Sequence, residues 1–452
     1  MIALSHEAGL LLWAIVAVTG LILLIAVFRL HAFLALMCAS LFVGLCAGMP
    51  LAEIGRAFQQ GVGTTLGFIA VVVGLGTILG KMLSESGGAE VVAQAFIRAL
   101  GRERLPWAML LVGFVVGLPV FFAVGLVLLV PILFTLIKES KQPLLSLAIP
   151  LVAGLSVSHG LVPPHPGPMV AIEKLGADVG KTIAYSILIG LPTAVLAGPI
   201  FGRYIAARVP VAAAGLAECL AGGNSVRQGS RPSGGITLFT ILLPVLLMLL
   251  ATVASFTWSP DTPLRQWLDF LGNPLVSLLL AVLFSLYSFG VSRGFTAAQL
   301  LKFSEECLGP VASILLIVGA GGGFSKVLDV SGVGTAVADF SKELNISPLL
   351  LAWSIAALIR IAVGSATVAI TMTAGLMAPM LPAFPAVNRE LLVLAMGAGS
   401  IILSHVNDGG FWFVKEYLNL SVAETFKTWT VMETIISLVA FVGVLALDLL
   451  IK

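Results

Sequence analysis

The chain has 452 residues, of which 59% are hydrophobic and only 10% charged, with 24 Lys and Arg against 22 Asp and Glu. Soluble domains carry about 25% charged residues, so this composition, with a mean hydropathy of +1.10, excludes an ordinary soluble fold. A net charge of +2, spread over short loops, leaves no basic patch for nucleic acid.

The first uncharged run, Leu10–Phe28, follows a stretch without Lys or Arg and is too long for a cleaved signal, so it reads as a retained span. Val62–Gly80, Leu105–Ile137 and Ser233–Pro260 are likewise free of charge. Apolar runs of ~18 residues or more are read as membrane spans. Leu105–Ile137 is different: as one helix it would measure ~50 Å, against a hydrocarbon core of ~30 Å. Near its middle stands the breaker pair Gly117-Leu-Pro119, and Ser347–Pro382 carries Gly364-Ser365-Ala-Thr367 in the matching place. Both segments are expected to be re-entrant hairpins, at about 105–137 and 347–382, with tips inside the membrane; a single kinked helix is the alternative. The spans expected besides them are 10–28, 31–49, 62–83, 143–172 and 182–203, then 236–257, 274–292, 309–327, 390–413 and 430–450. The four cysteines are scattered and form neither a disulfide framework nor a metal spacing.

An internal repeat organises these elements. Gly74-Leu-Gly-Thr-Ile-Leu-Gly-Lys81 matches Gly319-Ala-Gly-Gly-Gly-Phe-Ser-Lys326. At nearly the same offset, Gly117 matches Gly364, Pro131 matches Pro379, and Ser158-His159 matches Ser404-His405. The expected fold is therefore an all-α polytopic membrane protein. It has two inverted repeats, 1–209 and 233–452, each of about five transmembrane helices plus one re-entrant hairpin, joined by a solvated linker at 210–232. An odd number of spans per half forces the inversion. With the amino terminus outside, 15 Lys and Arg fall on one side, 8 on the other, and Arg360 lies inside the second hairpin. By the positive-inside rule both termini then face away from the cytoplasm. A layout with the hairpin at Gly63–Leu100 divides the charges less well. Lys81 and Lys326 are expected to end their spans by snorkelling.

Two further segments cannot be regular helix. His159-Gly-Leu-Val-Pro163-Pro164-His165-Pro166-Gly-Pro168 packs four prolines into six residues, and Ser404-His405-Val-Asn407-Asp408-Gly409-Gly410 is its counterpart. Irregular backbone at membrane depth is tolerated where it is buried in protein or lines a wet cavity. The two hairpin tips and the two broken spans are thus expected to form a central site, with Gly117, Pro119, His159, Pro164, His165, Arg360, Gly364, Ser365, Thr367, Asn407 and Gly409 about the substrate. Helix amino termini and Arg360 suit a carboxylate; Ser365, Thr367 and Asn407 suit hydroxyls. Arg360 also reads as one half of a structural ion pair or as an outward-snorkelling base. Asp408 is the sharpest candidate for proton coupling, with His159, His165 and His405 beside it, because ionisable groups inside a membrane are costly and often functional. A helix-capping role is the alternative for Asp408, and hydrogen-bonded packing for each histidine.

The run His159–Pro168 resembles the signature of the gluconate permease (GntP) family. So do Gly364-Ser-Ala-Thr-Val-Ala-Ile-Thr371, Val406-Asn-Asp-Gly-Gly-Phe-Trp412, Lys415-Glu-Tyr-Leu-Asn-Leu and Thr425-Phe-Lys-Thr-Trp429. The likeness spans almost the whole chain. It implies proton-driven uptake of gluconate or a related acid across the bacterial inner membrane, with no cofactor and no metal. Permeases for idonate, fructuronate, D-serine and short hydroxy acids share these motifs. More distantly, Pro163-Pro164 in a broken span after a hairpin resembles the wider superfamily of ion transporters, which implies a homodimer and elevator-type motion. An enzyme is not expected: His6-Glu7 lacks the second histidine of a zinc-protease helix, Asp408-Gly409 lacks an aspartyl-protease context, and no phosphate-binding loop occurs. An ion channel suits the two closed breaks less well than a carrier.

Overall fold

The computed structural model describes residues 6–211, 231–333, 336, 346–406 and 408–451. Among these, all regular structure is helical. The first half holds α1 (His6–Ala26), α2 (Ala32–Cys46), the long α3 (Leu51–Glu85), α4 (Gly88–Leu100), α5 (Leu105–Gly117), α6 (Phe122–Ser140), α7 (Leu144–Leu161), α8 (Pro166–Leu175) and α9 (Val179–Val195). A π-helical turn at Leu196–Ile200 leads from α9 into α10 (Phe201–Ala206). The second half holds α11 (Gly234–Thr257), α12 (Pro263–Gly272), α13 (Pro274–Ser285), α14 (Ala297–Glu306), α15 (Ala312–Val330), α16 (Pro348–Val363), α17 (Ala366–Met377), α18 (Arg389–Gly399) and α19 (Gly409–Tyr417). Then α20 (Val422–Thr425) passes through a π-helical turn at Phe426–Thr430 into α21 (Val431–Ile451). Most of the linker expected at 210–232 lies outside the described residues.

Seven of the described helices are long and apolar enough to cross a membrane, or eight if α6, bent by 41° between Val130 and Ile132, is a span. Some differences from the ten expected spans have local causes. The span expected at 31–49 is a helix of 15 residues, ended by Gly48 at φ +77° and by Pro50. The span expected at 390–413 is interrupted between α18 and α19, where the broken segment Ser404–Gly410 is expected. Conversely, α3 starts well before the expected 62, because Ile54 and Ala57 are buried while Glu53, Arg56, Gln59 and Gln60 extend its exposed face.

The expected tips do interrupt the chain. With 13 and 16 residues, α5 and α16 reach only ~20–24 Å, short of a membrane's width. The α5–α6 break falls at Leu118–Phe121, and Gly364, at φ +80°, ends α16 in the left-handed conformation that glycine adopts without penalty. The proline run separates α7 from α8, with a cis bond between Pro163 and Pro164.

At the centre stands α7, buried along its length except at Ser146 and His159. It packs on α5 at glycines of both helices. A Cβ on Gly113 would lie 2.2 Å from the Leu151 carbonyl oxygen, and one on Gly154 would lie 2.4 Å from that of Leu110. Small residues let helix backbones approach within a membrane, where packing and not water drives association. Lys81 and Lys326 are ion-paired: Lys81 with Glu85 at 2.7 Å and Glu306 at 3.5 Å, Lys326 with Asp329 at 2.8 Å.

The α5–α7 contact yields a first test. Gly154→Val places branched carbons against backbone that cannot yield, and is expected to cost ~1–3 kcal/mol or more. Thermal unfolding of the purified protein should show the loss, whereas Gly235→Val, at a glycine with open space beside it, should unfold near the parental temperature.

Candidate functional site: a cavity where helix breaks meet

Three of the four interruptions border one cavity of about 480 Å³, and the end of α7 before the fourth completes it, inside the ~300–1,000 Å³ range of small-molecule sites. Phe121, Phe122, Ala123 and Val124 come from the first break; Val363, Gly364, Ser365 and Ala366 from the second. Ser156 and His159 come from the last turns of α7 before the proline run, and Ile401, Asp408, Gly409 and Gly410 from the stretch between α18 and α19. Arg360, Trp429 and Glu433 complete the polar wall.

Three helices begin at this cavity: α6 at Phe122, α17 at Ala366 and α19 at Gly409. Two have side-chain caps, Ser365 accepting from the Val368 N–H and Asp408 from the Gly410 N–H at 2.9 Å. No side chain caps α6. The first N–H groups of a helix have no partner within it, and with the macrodipole they make its amino terminus a place for negative charge.

Arg360 supplies the full positive charge. It is 4% exposed, at the end of α16. One terminal nitrogen donates to the Gly364 carbonyl and the other to Asp408 Oδ2, while Nε has no hydrogen-bond partner among the described residues. Asp408 Oδ2 also accepts from the Ser404 hydroxyl. Ser404 Oγ in turn accepts from Trp429 Nε1 at 2.7 Å, and its carbonyl accepts from Thr430. This network ties the π-helical turn before α21 to the stretch before α19 and to the tip of α16.

The residues singled out from the sequence therefore separate. His159, Arg360, Gly364, Ser365, Asp408 and Gly409 line the cavity. His159 keeps Nδ1 buried and without a hydrogen-bond partner among the described residues. Pro119, Pro164 and His165 line a separate void of about 20 Å³ behind Phe121, and His165 Nε2 bonds the Gly117 carbonyl. That pair fixes the α5–α6 break to the proline run. Thr367 offers its carbonyl to Thr371 within α17 and is not among the residues of the cavity wall. His405 is held by the Ile361 carbonyl at 2.9 Å, away from the cavity. Asn407 lies outside the described residues.

Asp408 caps α19 and pairs with the Arg360 guanidinium. Glu433 and Ser156 were missed. Glu433 is the only acid in the first four turns of the largely apolar α21, and ionisable groups in such a setting are often functional; Ser156 reaches it only through the fold. A second polar cavity of about 330 Å³, lined by Gln60, Thr64, Glu173, Lys174, Lys326 and Asp329 among others, touches none of the four breaks.

The family model described as the GntP family permease matches residues 9–450. The chain belongs to the GntP permease family. It is a multi-span membrane transporter and not an enzyme. This GntP permease is 51% identical over 450 residues to a gluconate permease of Pseudomonas aeruginosa, covering 99% of this chain and 100% of that relative. It is 42% identical over 437 residues to the high-affinity gluconate transporter of Escherichia coli, covering 96% and 98%. Among solved structures it is similar to the Alcanivorax borkumensis YdaH transporter, with a TM-score of 0.67 and 18% identity over 92% of this chain and 96% of that one. At that identity the likeness is one of fold.

A double-mutant cycle tests the buried pair. Arg360→Leu and Asp408→Leu each strand an uncompensated charge and are expected to cost ~3–5 kcal/mol. The double variant should lose clearly less than the sum, read as thermal unfolding of the purified permease.

Proposed function

We propose that this permease is a secondary active transporter that takes up gluconate, or a closely related sugar acid, together with a proton across the bacterial inner membrane. The observation that carries the reading is the meeting of three helix amino termini and a buried arginine at one cavity. Such an arrangement stabilises a single anionic group on a small molecule. The relatives named for gluconate, matched over nearly their whole length, supply the substrate.

In this reading the substrate carboxylate lies against the Arg360 guanidinium and the uncapped start of α6. The Ser365 hydroxyl, the His159 ring and the backbone at Gly409 meet the polyol chain. Gly117, Pro119, Pro164 and His165 act one step back, by fixing the first tip against the broken span.

Two inverted repeats, each with a re-entrant hairpin, supply the symmetry for alternating access. The like order of elements in the two halves supports this: α5–α6, then α7–α8, then a long helix in one; α16–α17, then α18–α19, then a long helix in the other. Both termini then face the periplasm. A homodimeric scaffold with an elevator-type transport domain completes the reading, by resemblance to the wider transporter superfamily.

Counterflow and uptake in proteoliposomes, with sodium absent and a panel of labelled acids, test it. Gluconate uptake should saturate, rise with an inward proton gradient and collapse with an uncoupler. Arg360→Gln should raise KM ~10- to 100-fold, the worth of a charge-assisted hydrogen bond. Non-saturating flux, a sodium requirement or an unchanged KM would contradict the proposal.

A further inference from the structure

We propose that Glu433 is the group that takes up and releases the coupling proton, an inference that rests on the reading of the permease as a proton-coupled anion carrier. Glu433 stands in the first turn of α21, 2% exposed, and is part of the cavity wall. Its one hydrogen bond among the described residues is from the Ser156 hydroxyl, at 2.5 Å to Oε1. No Lys, Arg or His forms an ion pair with it among the described residues, whereas Asp408 across the cavity is paired with Arg360.

The charge of the cavity then decides how an anion enters. Its wall holds Arg360, Asp408, Glu433 and the ring of His159. The other ionisable groups on helices packed against α21 are Lys181 and Tyr185 on α9 and Arg389 and Glu390 on α18, and none of them lines the cavity. Lys427, in the turn before α21, is exposed. Arg360 and Asp408 cancel. An ionised Glu433 leaves the empty site with one net negative charge, and a substrate carboxylate would add a second in a partly buried space. A proton on Glu433 removes that repulsion. The carboxylate of the substrate and the proton on Glu433 therefore enter together and leave together, one of each, which is symport. The step is a proton transfer only: Glu433 gains H⁺ facing the acid side and loses it to water on the other. Ser156 gives the carboxylate a hydrogen bond in its charged form and accepts one from the protonated form, so one partner serves both states.

Glu433→Gln in proteoliposomes is the test. With an inward gradient of ~1 pH unit, a one-to-one electroneutral carrier concentrates gluconate ~10-fold. The variant should still exchange labelled for unlabelled gluconate, bring the internal concentration only to the external one, and no longer make the medium alkaline on uptake. Glu433→Asp should regain accumulation. Uphill accumulation by Glu433→Gln at the parental level overturns the proposal, and so does a folded variant that cannot exchange. Should Glu433→Gln fail to fold, dicyclohexylcarbodiimide, which reacts with protonated carboxyls in apolar settings, replaces it on the parental protein. Labelling of Glu433 in step with loss of accumulation supports the proposal; labelling of Asp408 instead overturns it. If the parental protein exchanges gluconate but never accumulates it under a proton gradient, proton coupling itself fails, whatever the variant does.

Discussion

A guanidinium buried at the end of an apolar helix has to be neutralised and hydrogen-bonded, or the charge is too costly to keep. Arg360 meets that demand with three different parts of the chain: the carbonyl of Gly364 at the next break, Asp408 at the start of α19 and, through Asp408, Ser404 and Trp429. Each partner lies where a helix is interrupted. The arginine thus collects the breaks of the second half around one point, and the cavity follows from that collection.

Glycine and proline do the complementary work. Gly364 adopts a left-handed conformation so that α16 can stop and α17 can start within two residues. Proline at 163, 164, 166 and 168 prevents α7 from running on into α8. The start of a helix leaves N–H groups without partners, and three starts face the same space. Side chains cap two of them, and the third is uncapped. A permease for acids needs such a place, where negative charge is welcome but not already fully supplied.

The breaks were legible in the sequence because residues that cannot continue a helix mark them: Gly117 and Pro119, the proline run, Gly364, and Asp408-Gly409. Arg360 was legible as a charge in an apolar run, but its partner Asp408, 48 residues further on, was not. Which residues share a wall was not legible. His165 and His159 are close neighbours in the chain, yet one braces a neighbouring carbonyl and the other borders the cavity, because the proline run turns the backbone between them. Helix boundaries followed the polar face of α3 and the Gly48–Pro50 stop better than they followed hydropathy alone. Glu433 could have been found by asking which acids sit inside apolar runs, but its partner Ser156 lies in the other half of the chain. Lys81 and Lys326 meet acids close by in the fold, which a reading by span ends alone does not reveal.

The position of the bound anion decides how the permease works. The most direct measurement is an electron cryo-microscopy structure of the permease with gluconate bound. The carboxylate is expected within hydrogen-bond distance of Arg360, between the starts of α6 and α17. Density for gluconate in the cavity beside Glu173, Lys174 and Lys326, with the Arg360 cavity empty, would contradict it.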